Sequence, residues 1–439
     1  MAKSSIRSIR LAPFADFFKK ETSGSFLILL ASILGLLIAN TFLSDLYFQI
    51  LDIKINFIIF DLSFDIKHLI NDALMTIFFL LVGLEIKREL TSGHLASVKK
   101  AIVPLMAAFG GMLIPALIYL IITDFKDLRG WAVPVATDIA LALGVLAYFG
   151  AKNSSFLRPF LLGIAVIDDI GAILIIALLF TGGFNLNWLL FSFLIYCVVL
   201  ALKKAEVNNT FIYVLVGILF WITIYKAGIH PTIAGVILGL TTPVKAIKDK
   251  KYIDIEEIKL KIKSTNPSKN TVSVVEWLEH KIHPWSAYFV VPVFAFANTG
   301  VVIDSEIFTQ IFQSKMALGI ILGLVLGKPI GILSLTLFSK YSQIGQLPKE
   351  IKWSQILAVG NAGGIGFTVA IFIATLAFEN QSLQNNPYTQ TAIKDKLRND
   401  YFQNQAYMAA QAKTYVNTVD KRANDYAKSA RDFEEAKAF

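Results

Sequence analysis

The chain has 439 residues, of which 55% are hydrophobic and only 17% charged, with a mean hydropathy of +0.60. That composition excludes an ordinary soluble globular protein and fits a polytopic membrane protein. The formal charge of +9 would suit a nucleic-acid partner, but the lysines and arginines lie between apolar runs, where they set topology, and the one cysteine, Cys197, excludes an intrachain disulfide framework or a cysteine metal site.

Met1–Thr22 is basic, and no small-residue cleavage site follows the first apolar run, so it is not expected to be a cleaved signal. Runs near 20 residues then recur, which favours helices over the alternating pattern of a membrane barrel. Eleven are expected, at Gly24–Leu43, Leu69–Leu84, Ile102–Ile122, Trp131–Phe149, Phe156–Thr181, Trp188–Leu202, Phe211–Tyr225, Ile229–Leu240, Tyr288–Val302, Met316–Phe338 and Ile356–Phe378. Between the first two, Asp52–Lys67 alternates charged with apolar residues and predicts a short exposed β-hairpin. A polar loop is expected over Lys245–Lys281. Basic residues cluster in alternate loops, as a cytoplasmic N-terminus requires. The domain expected to carry function is 1–378. Beyond it, 379–439 is polar and alanine-rich, and predicts a solvated helix or disorder.

Few charges fall inside the runs. The stretch AVIDDIGA places Asp168 and Asp169 side by side in span five, where a carboxylate costs about 2.5 to 3.5 kcal/mol and usually marks an ion or proton pathway. Neighbours on a helix point about 100° apart, so the two can border one cavity without facing one partner. Close carboxylates in a low dielectric cannot both ionise cheaply, and a hard cation entering between them would displace protons. Pro134, Thr137 and Asp138 lie in span four, and Gly360–Gly366 in span eleven; both stretches weaken a helix interior, as the interrupted helices of a transporter's midplane site require. Opposed half-helices would leave ends of both signs, which Asp138 and Lys328 of span ten could neutralise.

Plainer readings compete at each position. The aspartates could bond a neighbouring span, Lys328 could snorkel, and the glycines could serve close packing. Asp72 suits a helix start, and His230 a structural histidine. Glu85, Arg88 and Glu89 at a helix end, and Glu279, His280 and His283 before span nine, suit solvated faces as well as a pH-responsive cluster.

The stretches INDALMTIFFLLVGLEIKREL, GWAVPVATDIALALGVLA, AVIDDIGAILIIALL, GIHPTIAGVILG, LEHKIHPW, PVFAFANTGV, LGKPIGI and GGIGFTVAIFIATLAF occur in this order, and together they resemble the NhaA family of sodium/proton antiporters. That resemblance implies an all-α, multi-pass protein of the bacterial inner membrane. Its fold would be an inverted-repeat transporter, for which this family is itself a standard example, with two discontinuous helices crossing at the midplane and a small periplasmic β-hairpin. It implies that Asp168 and Asp169 form the Na+/Li+ and proton site, with Thr137 and Asp138 at the helix crossing, and that Lys328 pairs with Asp168 or carries a proton itself. It further implies that Glu85, Arg88, Glu89, Glu279, His280 and His283 serve pH sensing, that the hairpin makes a homodimer contact, and that exchange is electrogenic and needs no cofactor. Family chains carry a twelfth span after the one ending at Phe378, and residues 379–439 stand in its place.

Three rivals remain at this stage. One is a passive cation channel, and another a non-transporting relative. The third is an intramembrane acid/base enzyme, although the chain shows no GxGD signature and IDDIGA breaks the DDxxD spacing that binds a diphosphate.

Overall fold

Backbone amides inside hydrocarbon must bond one another, so an apolar run of about 20 residues has to coil. The computed structural model describes residues 22–57, 62–126, 128–148, 156–179, 185–207, 209–244, 273–303, 312–345 and 351–379, and all eleven apolar runs are wholly or largely helical in it. Helix α1 (Thr22–Ala39) turns through 114° into α2 (Ser44–Leu51), an element not foreseen from the sequence. Strand β1 (Lys54–Phe57) then pairs antiparallel with β2 (Leu62–Asp65), Lys54 opposite Asp65.

The hairpin is narrower than Asp52–Lys67, because helix α3 (Ile66–Thr91) begins directly after β2. Its cap is Asp65, whose carboxylate accepts the His68 N–H at 2.7 Å. Asp72, the residue that suited a helix start, lies instead on a π-turn inside α3, Ile70–Leu74.

There follow α4 (Val98–Ile122), a 3-10 turn at Gly130–Val135, α5 (Ile139–Tyr148), α6 (Leu157–Leu179), α7 (Leu186–Lys204), α8 (Thr210–Lys226) and α9 (Thr232–Thr241). Helix α10 (Val274–Trp285) passes through a π-turn into α11 (Val291–Thr299); α12 (Lys315–Tyr341), α13 (Trp353–Gly363) and α14 (Phe367–Glu379) complete the described fold. Among the described residues, five helices, α3, α4, α6, α7 and α12, are long and apolar enough to span on their own.

The expected loop Lys245–Lys281 needs correction at its end. Residues 245–272 lie outside the described residues, but α10 starts at Val274, set by a capping box in which Ser273 and Glu276 satisfy each other's backbone amides at 3.2 and 2.8 Å. Glu279, His280 and His283 therefore stand on a helix. The tail beyond Glu379 is also outside the described residues.

Lipid tails are as apolar as leucine, so close backbone approach rather than hydrophobicity must hold such helices together. Helices α4 and α12 cross where Gly110 meets Gly331, and a Cβ on either would run into the other's carbonyl oxygen. Helices α3 and α9 do the same with Gly235 against Thr76 O and Gly239 against Leu80 O. One core gathers around Phe79, Tyr119, Phe294 and Phe372, and a second around Phe160, Leu161, Ile332 and Val359. Helix α7 stays at the margin, with only Ser192 and Val199 of its described residues buried.

Candidate functional site

Span four loses its helix at Ala136–Asp138, just after the turn that contains Pro134, and span eleven loses it at Gly364–Gly366, where α13 and α14 bend by 46°. The two breaks bond each other. Asp138 N–H donates to Ile365 O at 2.6 Å, and the Thr137 hydroxyl lies 2.9 Å from Gly363 O. One oxygen of the Asp138 carboxylate accepts the Leu141 N–H of α5 at 3.1 Å. The other accepts the N–H and hydroxyl of Thr368, in the first turn of α14, at 3.1 and 2.5 Å. A single buried carboxyl group thus caps two helix N-termini, the ends at which helix dipoles favour an acidic side chain.

Asp168 and Asp169 of α6 are 1% and 3% exposed, beside these breaks. The Oδ2 of Asp168 lies 2.9 Å from the ammonium of Lys328 and 2.7 Å from the Thr137 hydroxyl. Lys328, fully buried on α12, also donates to Val135 O, a carbonyl just before the break in span four. Snorkelling is ruled out for this lysine. Thr137 has one hydroxyl hydrogen and two acceptors in reach, Asp168 and Gly363, so it serves one at a time. Oδ1 of Asp168 and Oδ2 of Asp169 are buried with no hydrogen-bond partner among the described residues. Such orphaned carboxylate oxygens call for a proton or a cation. Among the described residues Asp138 does not complete a three-carboxylate cluster with them, since its oxygens are turned to α5 and α14.

A second charged group forms where α3 ends against α10. The Arg88 guanidinium bonds Glu279 at 2.5 Å and approaches Glu89 at 3.4 Å, and Glu85 shares the electrostatics of both Glu279 and Asp169. His280 is half-buried and His283 exposed farther along α10. Glu279 lies before the apolar span, and burial pushes its carboxyl up to about 7, with Arg88 opposing and Glu89 adding to the shift. A carboxyl that binds its proton more tightly when folded stabilises fully below its ordinary value of 4.5, and that contribution is lost as pH rises through about 7. Glu279→Gln is therefore expected to flatten the fall in thermal stability between about pH 4.5 and 7; an unchanged slope in pH-resolved melting would reject this.

His230 meets Thr232 at 2.8 Å, the Phe372 ring edge-on, and Asp72 at 3.7 Å across α3. The glycines of span eleven also pack closely, Gly360 against Pro329 and Gly364 against Leu324 O, so packing and helix breakage coexist there. The residue missed from the sequence is Thr368. Its signal was a hydroxyl two residues after a glycine-rich break, at the start of an apolar run.

A bundle of apolar helices whose polar groups gather at two hydrogen-bonded breaks defines a helical, multi-pass membrane transporter. A family model described as Na+/H+ antiporter 1 matches residues 15–393, and the chain belongs to that family. The chain is 41% identical over 371 residues to the Na(+)/H(+) antiporter NhaA 2 of Aliarcobacter butzleri (strain RM4018), covering 84% of this chain and 90% of that protein. It is 41% identical to the Na(+)/H(+) antiporter NhaA of Wolinella succinogenes over 391 residues, 83% and 86% of the two chains. With the NhaA of Helicobacter pylori (strain HPAG1) it shares 40% over 387 residues, 83% and 88%. The family match runs past Glu379 to residue 393, beyond the boundary at which the tail was expected to depart.

Proposed function

We propose that this chain is a secondary antiporter that exports cytoplasmic Na+ or Li+ in exchange for protons, by alternating access and electrogenically, in the service of pH and sodium homeostasis. The observation that carries this reading is the pair of unpartnered, buried carboxylate oxygens on Asp168 and Asp169. A cation taken up by them displaces the protons that otherwise neutralise the site, more than one for each cation, so uptake on one side and release on the other exchange the two and move net charge.

In this reading Asp169 binds the cation and proton together with Asp168, and Lys328 supplies Asp168 with a countercharge when the cation has left. Thr137 changes acceptor with the state of Asp168, and Asp138 holds the two discontinuous helices at their crossing near the midplane of an inverted repeat. Glu85, Arg88, Glu89 and Glu279, with His280 and His283, transmit cytoplasmic pH to Asp169 through Glu85. The hairpin faces the periplasm and contacts a second copy, and the N-terminus is cytoplasmic in a bacterial inner membrane. The experiment is sodium addition to everted vesicles holding a respiration-driven pH gradient. Dissipation of that gradient is expected; a sodium current with no accompanying proton flux would instead mean a channel and reject exchange.

A further inference from the structure

Away from the broken helices, a groove of about 640 Å³ runs between α7, α8 and α9, walled by Leu186, Leu190, Phe193, Tyr196, Phe220 and Ile237. It opens at the margin of the fold, where Leu186, Leu190 and Phe193 are 75%, 60% and 60% exposed. From Leu186 to Tyr196 helix α7 rises about 15 Å, half of a hydrocarbon core about 30 Å thick. The groove is therefore one leaflet deep.

Its rim carries charge. Lys226, the last residue of α8, holds its ammonium 5.0 Å from the centre of the Trp188 ring, near the start of α7, and the Asn185 N–H bonds Ala227 O at 3.1 Å to close that end. Among the described residues no carboxylate pairs with Lys226. Tryptophan and lysine at a helix end sit at headgroup depth, and a basic residue beside a crevice between spans suits an anionic headgroup. At the deeper end the polar groups are already engaged, the Tyr196 hydroxyl with Thr241 Oγ1 at 3.1 Å and the Lys203 ammonium with Thr241 O at 2.6 Å, so the interior offers only hydrocarbon contact.

We propose that this groove is a binding site for one anionic phospholipid, with an acyl chain along α7 and its phosphate on Lys226. The site lies apart from the ion-exchange residues and does not depend on the function assigned to them. A second lysine over a tryptophan, Lys340 at 4.8 Å from Trp353, provides an internal comparison, because it has no share in this groove.

The test is native mass spectrometry of the full chain released from detergent and titrated with phosphatidylglycerol or with phosphatidylcholine of the same acyl chains. Wild type should retain phosphatidylglycerol about fivefold more tightly, the effect of about 1 kcal/mol for one basic residue at the membrane surface. Lys226→Gln should erase that preference, Lys226→Arg should keep it, and Lys340→Gln should leave it unchanged. Leu190→Trp, which narrows the groove from an exposed position, should lower retention of both lipids. The proposal is overturned if Lys226→Gln binds the two lipids as wild type does, or if Lys340→Gln weakens phosphatidylglycerol equally. It is overturned too if the groove-narrowing variant loses a dimer and no lipid, which would give the groove to a second copy. Exchange activity and melting of Lys226→Gln should match wild type, so a loss of lipid reports the site and not the fold.

Discussion

In everted vesicles, Asp169→Asn is expected to reduce sodium-driven collapse of the pH gradient to background while the protein still inserts and folds. The amide keeps the shape of the carboxylate but can neither carry the negative charge a cation needs nor take up a proton. Because Oδ2 of Asp169 has no partner to lose among the described residues, the substitution should cost little stability. Asp168→Asn should differ, since its Oδ2 faces both Lys328 and Thr137, and activity and stability should fall together. Exchange persisting in Asp169→Asn at wild-type rates would remove Asp169 from the site.

The other large effect concerns Lys328. Removing one partner of a buried ion pair leaves an uncompensated charge, which costs about 3 to 5 kcal/mol. Lys328→Met strands the Asp168 carboxylate and also withdraws the donor to Val135 O, so its melting temperature in detergent should fall well below that of wild type. The double variant Asp168→Asn with Lys328→Met removes both charges and should recover most of the loss without recovering transport. If the single and double variants melt alike, the pair is not what holds α6 to α12.

The helical segments were legible because hydrocarbon forces long apolar runs to coil, and Pro134 with the glycines of Gly360–Gly366 marked where two of them fail. What could not be read was the local geometry that neither period nor composition encodes. The π-turns at Ile70–Leu74 and Gly323–Gly327 lie inside otherwise continuous helices, where the apolar pattern carries no mark of them. The hairpin was visible as alternation, but its end was set by a side-chain cap at Asp65 that alternation conceals. Helix α10 was read as loop because the long polar stretch before it masked Ser273 and Glu276, although their spacing was a capping box in plain view.

At the site, the buried charges stood out one by one against their apolar surroundings, whereas their pairing did not. Nothing in composition or spacing told Lys328 to face Asp168 rather than Asp169, a pairing that the family resemblance alone offered, or turned Asp138 toward Thr368. Those choices follow from how α6, α12 and the two breaks are placed in space, which only the assembled bundle decides.

The bond between Asp138 and Thr368 joins positions 230 apart in the chain. Neither partner is free to drift: without the threonine hydroxyl the carboxylate loses its shortest contact, and without the carboxylate the first turn of α14 loses its cap. Across relatives of this chain, the two positions should therefore change together or stay together. The signature of the break would then be written in evolutionary covariation between spans four and eleven, where an alignment could find it without any structure.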